Sequence, residues 1–144
     1  MKYKINYSGI FLDTKSSNLL KNWFKLKRKK DLLNNVAANV AVLKIFKRNI
    51  ELHQISSMNI GSEVSLSVVG YYDKDDMQMV LCRATSGGKS VGNSFLKIVV
   101  STNINSINLS NYKEDNFVEC NGPDLFGIIG YIDSNKEVRL QLPD

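Results

Sequence analysis

From residue 63 onward the chain alternates apolar and polar side chains over runs too short for ordinary helices. Each run is bounded by turn-forming residues. "EVSLSVVGYY" (63–72) sets Val64, Leu66 and Val68 against Glu63, Ser65 and Ser67. "YDKDD" (72–76) is a polar turn, and "MQMVLCRAT" (77–85) returns as a second strand. "SGGKSVGNS" (86–94) is the next loop and "FLKIVVS" (95–101) a third strand. "FVEC" (117–120), "LFGIIGYI" (125–132) and "EVRLQL" (137–142) complete the series, the last two joined by "DSNK". Period two between turn signals predicts antiparallel hairpins. The long polar connection 102–116 is expected to hold a short edge strand around Ile104–Leu109. Gly127 and Gly130, inside an apolar strand, mark a bend or a close backbone approach.

The first fifty residues read differently. "KYKINYSGIFL" (2–12) alternates Tyr3, Ile5 and Tyr7 with Lys4 and Asn6, which predicts one strand or two short ones. Asp13-Thr14 then offers a helix N-cap, with Ser16 and Ser17 as further candidates. Residues 15–48 contain neither Pro nor Gly. Leu19, Leu20, Trp23, Phe24 and Leu26 form one apolar stripe. Leu32, Leu33, Val36, Ala37, Val40 and Leu43 form another, on a different side of the same helical wheel. That mismatch predicts two helices, at about 15–27 and 31–47, broken within "KLKRKKD". The expected fold class is therefore α+β. It has an N-terminal strand and a two-helix segment, followed by a mostly antiparallel, curved β-sheet or small barrel.

The length of 144 residues suits one domain over 1–144, with a basic part at 1–50 and a β-rich part at 51–144. A net charge of +5 conceals a sharp asymmetry. Residues 1–50 carry twelve Lys and Arg against two acids; residues 51–144 carry seven against twelve. Such asymmetry speaks to partners rather than to fold. No stretch reaches the roughly 18 apolar residues of a membrane span. The start has no apolar signal segment, so the expected location is cytoplasmic. Two cysteines, Cys82 and Cys120, lie in separate apolar stretches and are expected to be reduced thiols.

Several chemistries lack the pattern they require. Gly88, Lys89 and Ser90 spell the end of a phosphate-binding P-loop. The first glycine of that motif would fall on Arg83, and "VGNSFLKIVV" reads as a strand where a helix is needed. The segment is expected to be a Gly-rich hairpin loop that presents Lys89 to solvent or to an anion. Asp73, Asp75 and Asp76 lack the ligand spacing of a calcium loop, and the expectation is a solvated hairpin tip. His53 is the only histidine, which excludes a multi-histidine metal site. No cofactor or metal is expected, and no catalytic residue is identified.

"KNWFKLKRKK" (21–30) carries the most weight. Lys21, Lys25 and Arg28 share one side of the first helix, and Lys27, Lys29 and Lys30 extend the charge beyond it. Mutual repulsion among these cations is relieved by nearby anions. The leading expectation is a non-enzymatic protein that uses Lys21, Lys25, Lys27, Arg28, Lys29, Lys30 and Lys89 on nucleic-acid phosphates. Trp23 and Phe24 either anchor the core or, if exposed, stack on bases. The alternative is a structural or assembly subunit, a homo-oligomer in which the basic half meets an acidic protein surface such as Asp73–Asp76 or Glu114–Asp115 on a neighbour. Unpaired sheet edges would add to that contact.

Overall fold

The computed structural model describes residues 1–92 and 95–143. Its elements, in chain order, are β1 (Lys2–Tyr3), β2 (Ile5–Leu12), α1 (Thr14–Arg28), β3 (Asn35–Val36), β4 (Val40–Ile45), β5 (Ile50–Glu51), α2 (Leu52–Ser56), β6 (Glu63–Lys74), β7 (Met77–Ser86), β8 (Lys89–Ser90), β9 (Leu96–Thr102), β10 (Val118–Glu119), β11 (Asp124–Asp133) and β12 (Val138–Arg139). Six of the strands close into an antiparallel barrel. Going round it, β6 pairs with β7, β7 with β9, β9 with β4, β4 with β2, β2 with β11, and β11 again with β6. The α+β expectation holds in its broad form, with the barrel dominating.

The period-two runs fold as their patterning dictates. Each barrel strand sends one row of side chains inward, and Ile10, Ala41, Leu66, Val80, Ile98 and Leu125 are all fully buried there. A six-stranded barrel is too narrow for a lumen, so these side chains fill it. The β6–β7 turn is two residues, Asp75 and Asp76, both at positive φ. That is the twist-compatible hairpin turn that Asp tolerates. Gly87 and Gly88 make the equivalent turn between β7 and β8. The last two residues of the expected 86–94 loop lie outside the described residues. At Gly130, a Cβ would sit 2.5 Å from the Arg139 carbonyl oxygen and 2.7 Å from Leu140 Cδ2, so the chain after β12 lies directly on this strand. This is the close approach that the glycine signalled.

The expected second helix is absent. Residues 31–34 have no regular structure, β3 and β4 are strands, and Ala38 sits at φ 56°. The physical reason is long-range pairing of residues 35–45 with β2 and β9, which overrides the local apolar spacing. β4 also carries a bulge. Gly9 pairs with Val42 and Ser8 with Lys44, which leaves Leu43 as an extra residue in β4. The extra residue breaks strict alternation at the end of the stripe. Pairing with β2 and β9 then decides the matter, because barrel closure needs a strand at this place. The seam with β9 has one strand pair, Ala41 with Ile98, extended by Asn35–Thr102 and Val36–Ser101. The amides of Ala37 and Ala38 add bonds to the carbonyls of Val100 and Val99.

Strand directions define two barrel ends. One carries the β6–β7 turn, α1 and the connection 103–123; the other carries α2, β8 and both chain termini. α1 closes the first end. Its fully buried Leu20 and Phe24, one turn apart, enter the barrel core, while Leu26 is 78% exposed. Ile55 of α2 closes the second end with Ile5, Ile50 and Tyr131. The connection 103–123 contains no strand at Ile104–Leu109. Two 3₁₀ turns replace it, and Ile104, Leu109, Tyr112 and Phe117 cover the outer face of β6, β7 and β9. Satisfying that apolar face outweighs adding an edge strand. Among the described residues no helix is long and apolar enough to cross a membrane.

Phe24→Ala is expected to destabilise the fold by about 3–5 kcal/mol, whereas Leu26→Ala stays within about 0.5 kcal/mol. Urea unfolding of the two variants checks which face of α1 the barrel uses.

Candidate functional site

α1 is positioned at both ends. The Asp13 carboxylate accepts from the amide of Ser16 at 2.6 Å, which caps the helix. The Ser16 hydroxyl in turn accepts from the amide of Phe126 at 2.8 Å, tying the first turn to β11. Lys29 ends the helix in the left-handed region, φ 55° and ψ 40°. This reversal turns Arg28 and Lys30 back toward the barrel rim.

There the two cations meet Asp73. Arg28 Nε and Lys30 Nζ each lie 2.8 Å from its carboxylate, and the Asp73 side chain is only 5% exposed. Arg28 also donates to the Tyr71 hydroxyl at 3.2 Å and lies 5.0 Å over the ring. Gln78, fully buried, contributes a long 3.4 Å contact to the same carboxylate and accepts from Ser101. Burial alone would raise the pKa of Asp73, but bonds from Arg28 and Lys30 outweigh it and hold the carboxyl below its ordinary value. The bond to Asp73 likewise raises the pKa of Arg28. The expectation of a solvated Asp73 is therefore corrected. Only Asp75 and Asp76 form the exposed tip, while Asp73 neutralises part of the basic segment from within the same chain.

The expected phosphate-binding set divides accordingly. Arg28 and Lys30 are engaged internally. Lys25, Lys27 and Lys29 are exposed, Lys21 is half-buried, and none of these four makes an ion pair among the described residues. Lys21 and Lys25 are one turn apart on the same side of α1. Phe24 is unavailable for stacking, since it is fully buried and packs edge-on to Tyr71 with ring centroids 6.4 Å apart. Trp23 is half-buried against the core and lies close to Gly122, where a Cβ would sit 3.2 Å from its ring. Lys89 belongs elsewhere. It lies in β8 at the opposite end of the barrel, lining a cavity with Lys44. No helix follows the Gly88–Ser90 stretch before β9 among the described residues.

Cys82 and Cys120 pack in the same core cluster, close enough that, besides burial, Cys120 adds to the raised pKa of Cys82. Burial pushes the Cys82 thiol up to about 12, and burial also raises Cys120, partly offset by Lys27. His53 is exposed in α2, with its Nδ1 3.2 Å from Glu51. Cys120 is fixed by its amide to the carbonyl of Val69, on the strand that leads to the opposite end. Among the described residues no group of three or more His, Cys, Asp or Glu side chains is arranged to hold a metal ion. Comparisons with protein-family models, curated proteins and solved structures give no significant match.

Sequence reasoning missed the Asp73 bond to the basic segment, because Arg28 and Asp73 are 45 positions apart and no local pattern links them. It also missed Lys44, which it assigned to a helix.

Asp73→Asn is expected to cost about 1–3 kcal/mol at neutral pH. The folded-state pKa lies below the unfolded value of about 3.9, so the stabilisation is complete above the unfolded value and is lost as pH falls through the folded one. Denaturation of wild type and variant should therefore converge in acid. A thiol reagent should label Cys120 ahead of Cys82 in the native protein and label both after unfolding; mass spectrometry of the labelled peptides distinguishes them.

Proposed function

We propose that this is a non-enzymatic protein that binds nucleic-acid phosphates through the unpaired lysines of α1 and its C-cap. The observation that carries the reading is the set Lys21, Lys25, Lys27 and Lys29, four cations on 21–29 that no carboxylate pairs among the described residues. The nearby Asp73 is already occupied by Arg28 and Lys30. Cations held on a rigid, anchored helix without internal counter-charges are suited to polyanions, and their affinity comes from released counterions. The rigidity comes from the core side, where Leu20 and Phe24 lock the helix to the barrel. Contacts of this kind track the backbone and carry little sequence preference. Arg28 and Lys30 act in this reading as supports that fix the helix end, not as phosphate ligands.

One observation favours a second reading, self-association. The outer face of β2, β11 and β12 is apolar and uncovered, with Phe126 55% and Val138 49% exposed beside Phe11 and Ile128. Paired charge halves and free sheet edges favour it less. Asp73 is consumed internally, and barrel closure leaves only short edges.

The test is fluorescence anisotropy with a labelled single-stranded oligonucleotide across a salt series. The variant carries Lys21→Glu, Lys25→Glu, Lys27→Glu and Lys29→Glu. Wild type is expected to bind with an affinity that falls as salt rises, with a log–log slope of about −0.7 for each phosphate contact made. The variant should retain its melting temperature and lose binding. Equal binding by the two proteins would overturn the reading. A dimer that ignores the oligonucleotide, seen by light scattering and dissolved by Phe126→Asp, would favour self-association.

A further inference from the structure

The end of the barrel away from α1 holds a cavity of about 650 Å³. That volume falls within the roughly 300–1,000 Å³ typical of small-molecule sites. Leu43, Phe46, Met58 and Ile129 give it an apolar floor. Lys44 from β4 and Lys89 from β8 line it, together with five serines, and no Asp or Glu does so among the described residues. Two elements that are far apart in sequence thus bring one cation each to the same cavity, and neither finds an acid there.

The lysines are differently held. Lys44 is exposed, and its Nζ lies 5.5 Å from the centroid of the Phe46 ring, a cation–π contact at the cavity wall. Lys89 follows the tight Gly87–Gly88 turn, so a two-residue hairpin positions it. Ser57 and Ser86 donate their hydroxyl protons to the carbonyls of Gln54 and Glu63, at 2.7 and 2.6 Å. They therefore shape the wall, while Ser62 and Ser90 add hydroxyl donors beside the lysines. Cations and hydroxyls without carboxylates suit an anion, and point-charge lysines commonly bind phosphate. The apolar floor suits an organic body attached to that anion, and Met58 can adapt to its shape.

We propose that this cavity binds a small phosphate ester of about nucleotide size, with the phosphate between Lys44 and Lys89 and the organic part against Leu43, Met58 and Ile129. The Gly88–Lys89–Ser90 stretch then serves an anion without P-loop geometry. It does so through a hairpin side chain and a second lysine, in place of loop amides at a helix start. The site uses none of the α1 lysines and is independent of the nucleic-acid reading.

The experiment is titration of the ¹⁵N-labelled protein with AMP, adenosine and inorganic phosphate in separate arms, followed by amide shifts. AMP is expected to give saturable shifts at Lys44, Phe46, Ser62 and Ser90. Phosphate should shift the same lysine-bearing strands more weakly. Lys44→Ala and Lys89→Ala should each weaken AMP by about tenfold, the loss of one charge-assisted contact. Both lysines are exposed, so unchanged melting curves will verify that the variants fold. The α1 variant with Lys21, Lys25, Lys27 and Lys29 changed to Glu should bind AMP as wild type does. The proposal is overturned if neither AMP nor phosphate gives saturable shifts at this cavity. It is equally overturned if adenosine binds as well as AMP, if the two lysine changes leave affinity intact, or if the α1 variant loses AMP binding.

Discussion

Closure of the sheet through the β4–β9 seam is the constraint on which the rest of this structure depends. A six-stranded sheet left open there would expose two rows of backbone donors and acceptors. The seam has a single strand pair, Ala41 with Ile98, backed by the bonds of residues 35–38 to residues 99–102. The flanking seams are longer: β2 and β4 share five residue pairs, and β7 and β9 share six. Once the barrel closes, its interior is fully used by side chains, and both mouths must be covered. α1 and the segment around α2 meet that need with Phe24 and Ile55.

The same closure sorts the charges. The basic residues of the first fifty positions do not form one pole. Those on 21–30 lie at one mouth, whereas Lys44 and the N-terminal lysines lie toward the other. At the first mouth, Asp73 on the end of β6 draws Arg28 and Lys30 inward. A carboxylate whose side chain is only 5% exposed is costly to desolvate, and its bonds to two cations offset that cost. Here they hold the C-terminal end of the helix that bears the remaining lysines. At the second mouth no acid lines the cavity of Lys44 and Lys89 among the described residues. Each rim thus pairs some cations and leaves others open among the described residues: Arg28 and Lys30 bond Asp73 at the first while Lys21, Lys25, Lys27 and Lys29 are unpaired, and Arg139 bonds Asp133 and Glu137 at the second while Lys44 and Lys89 are unpaired.

Much of the fold is legible in local chemistry. Val64, Leu66 and Val68 alternate because one face of β6 is core, and Asp75–Asp76 turns because Asp tolerates positive φ. Asp13 caps α1 as its position suggests. The basic candidates were legible as residues, but their division was not. Nothing near Arg28 announces that its partner lies 45 positions away, while Lys27, one residue earlier, stays in solvent. The helix expected at 31–47 failed because pairing with β2 and β9 overrides the local apolar spacing, most of which precedes the bulge at Leu43. Its strand character comes from neighbours that a short window does not contain.

The sequence by itself determined the alternation of the strands, the chemistry of their turns, the cap of α1 and the density of cations on 21–30. Each is a property of residues within a few positions of one another, which their own backbone and side-chain preferences decide. Only the tertiary structure decided that residues 40–45 are a strand, that Asp73 neutralises Arg28 and Lys30, and that Lys44 and Lys89 share a cavity. Those outcomes rest on contacts such as Ala41 with Ile98, 57 positions apart, whose existence depends on the whole sheet closing on itself.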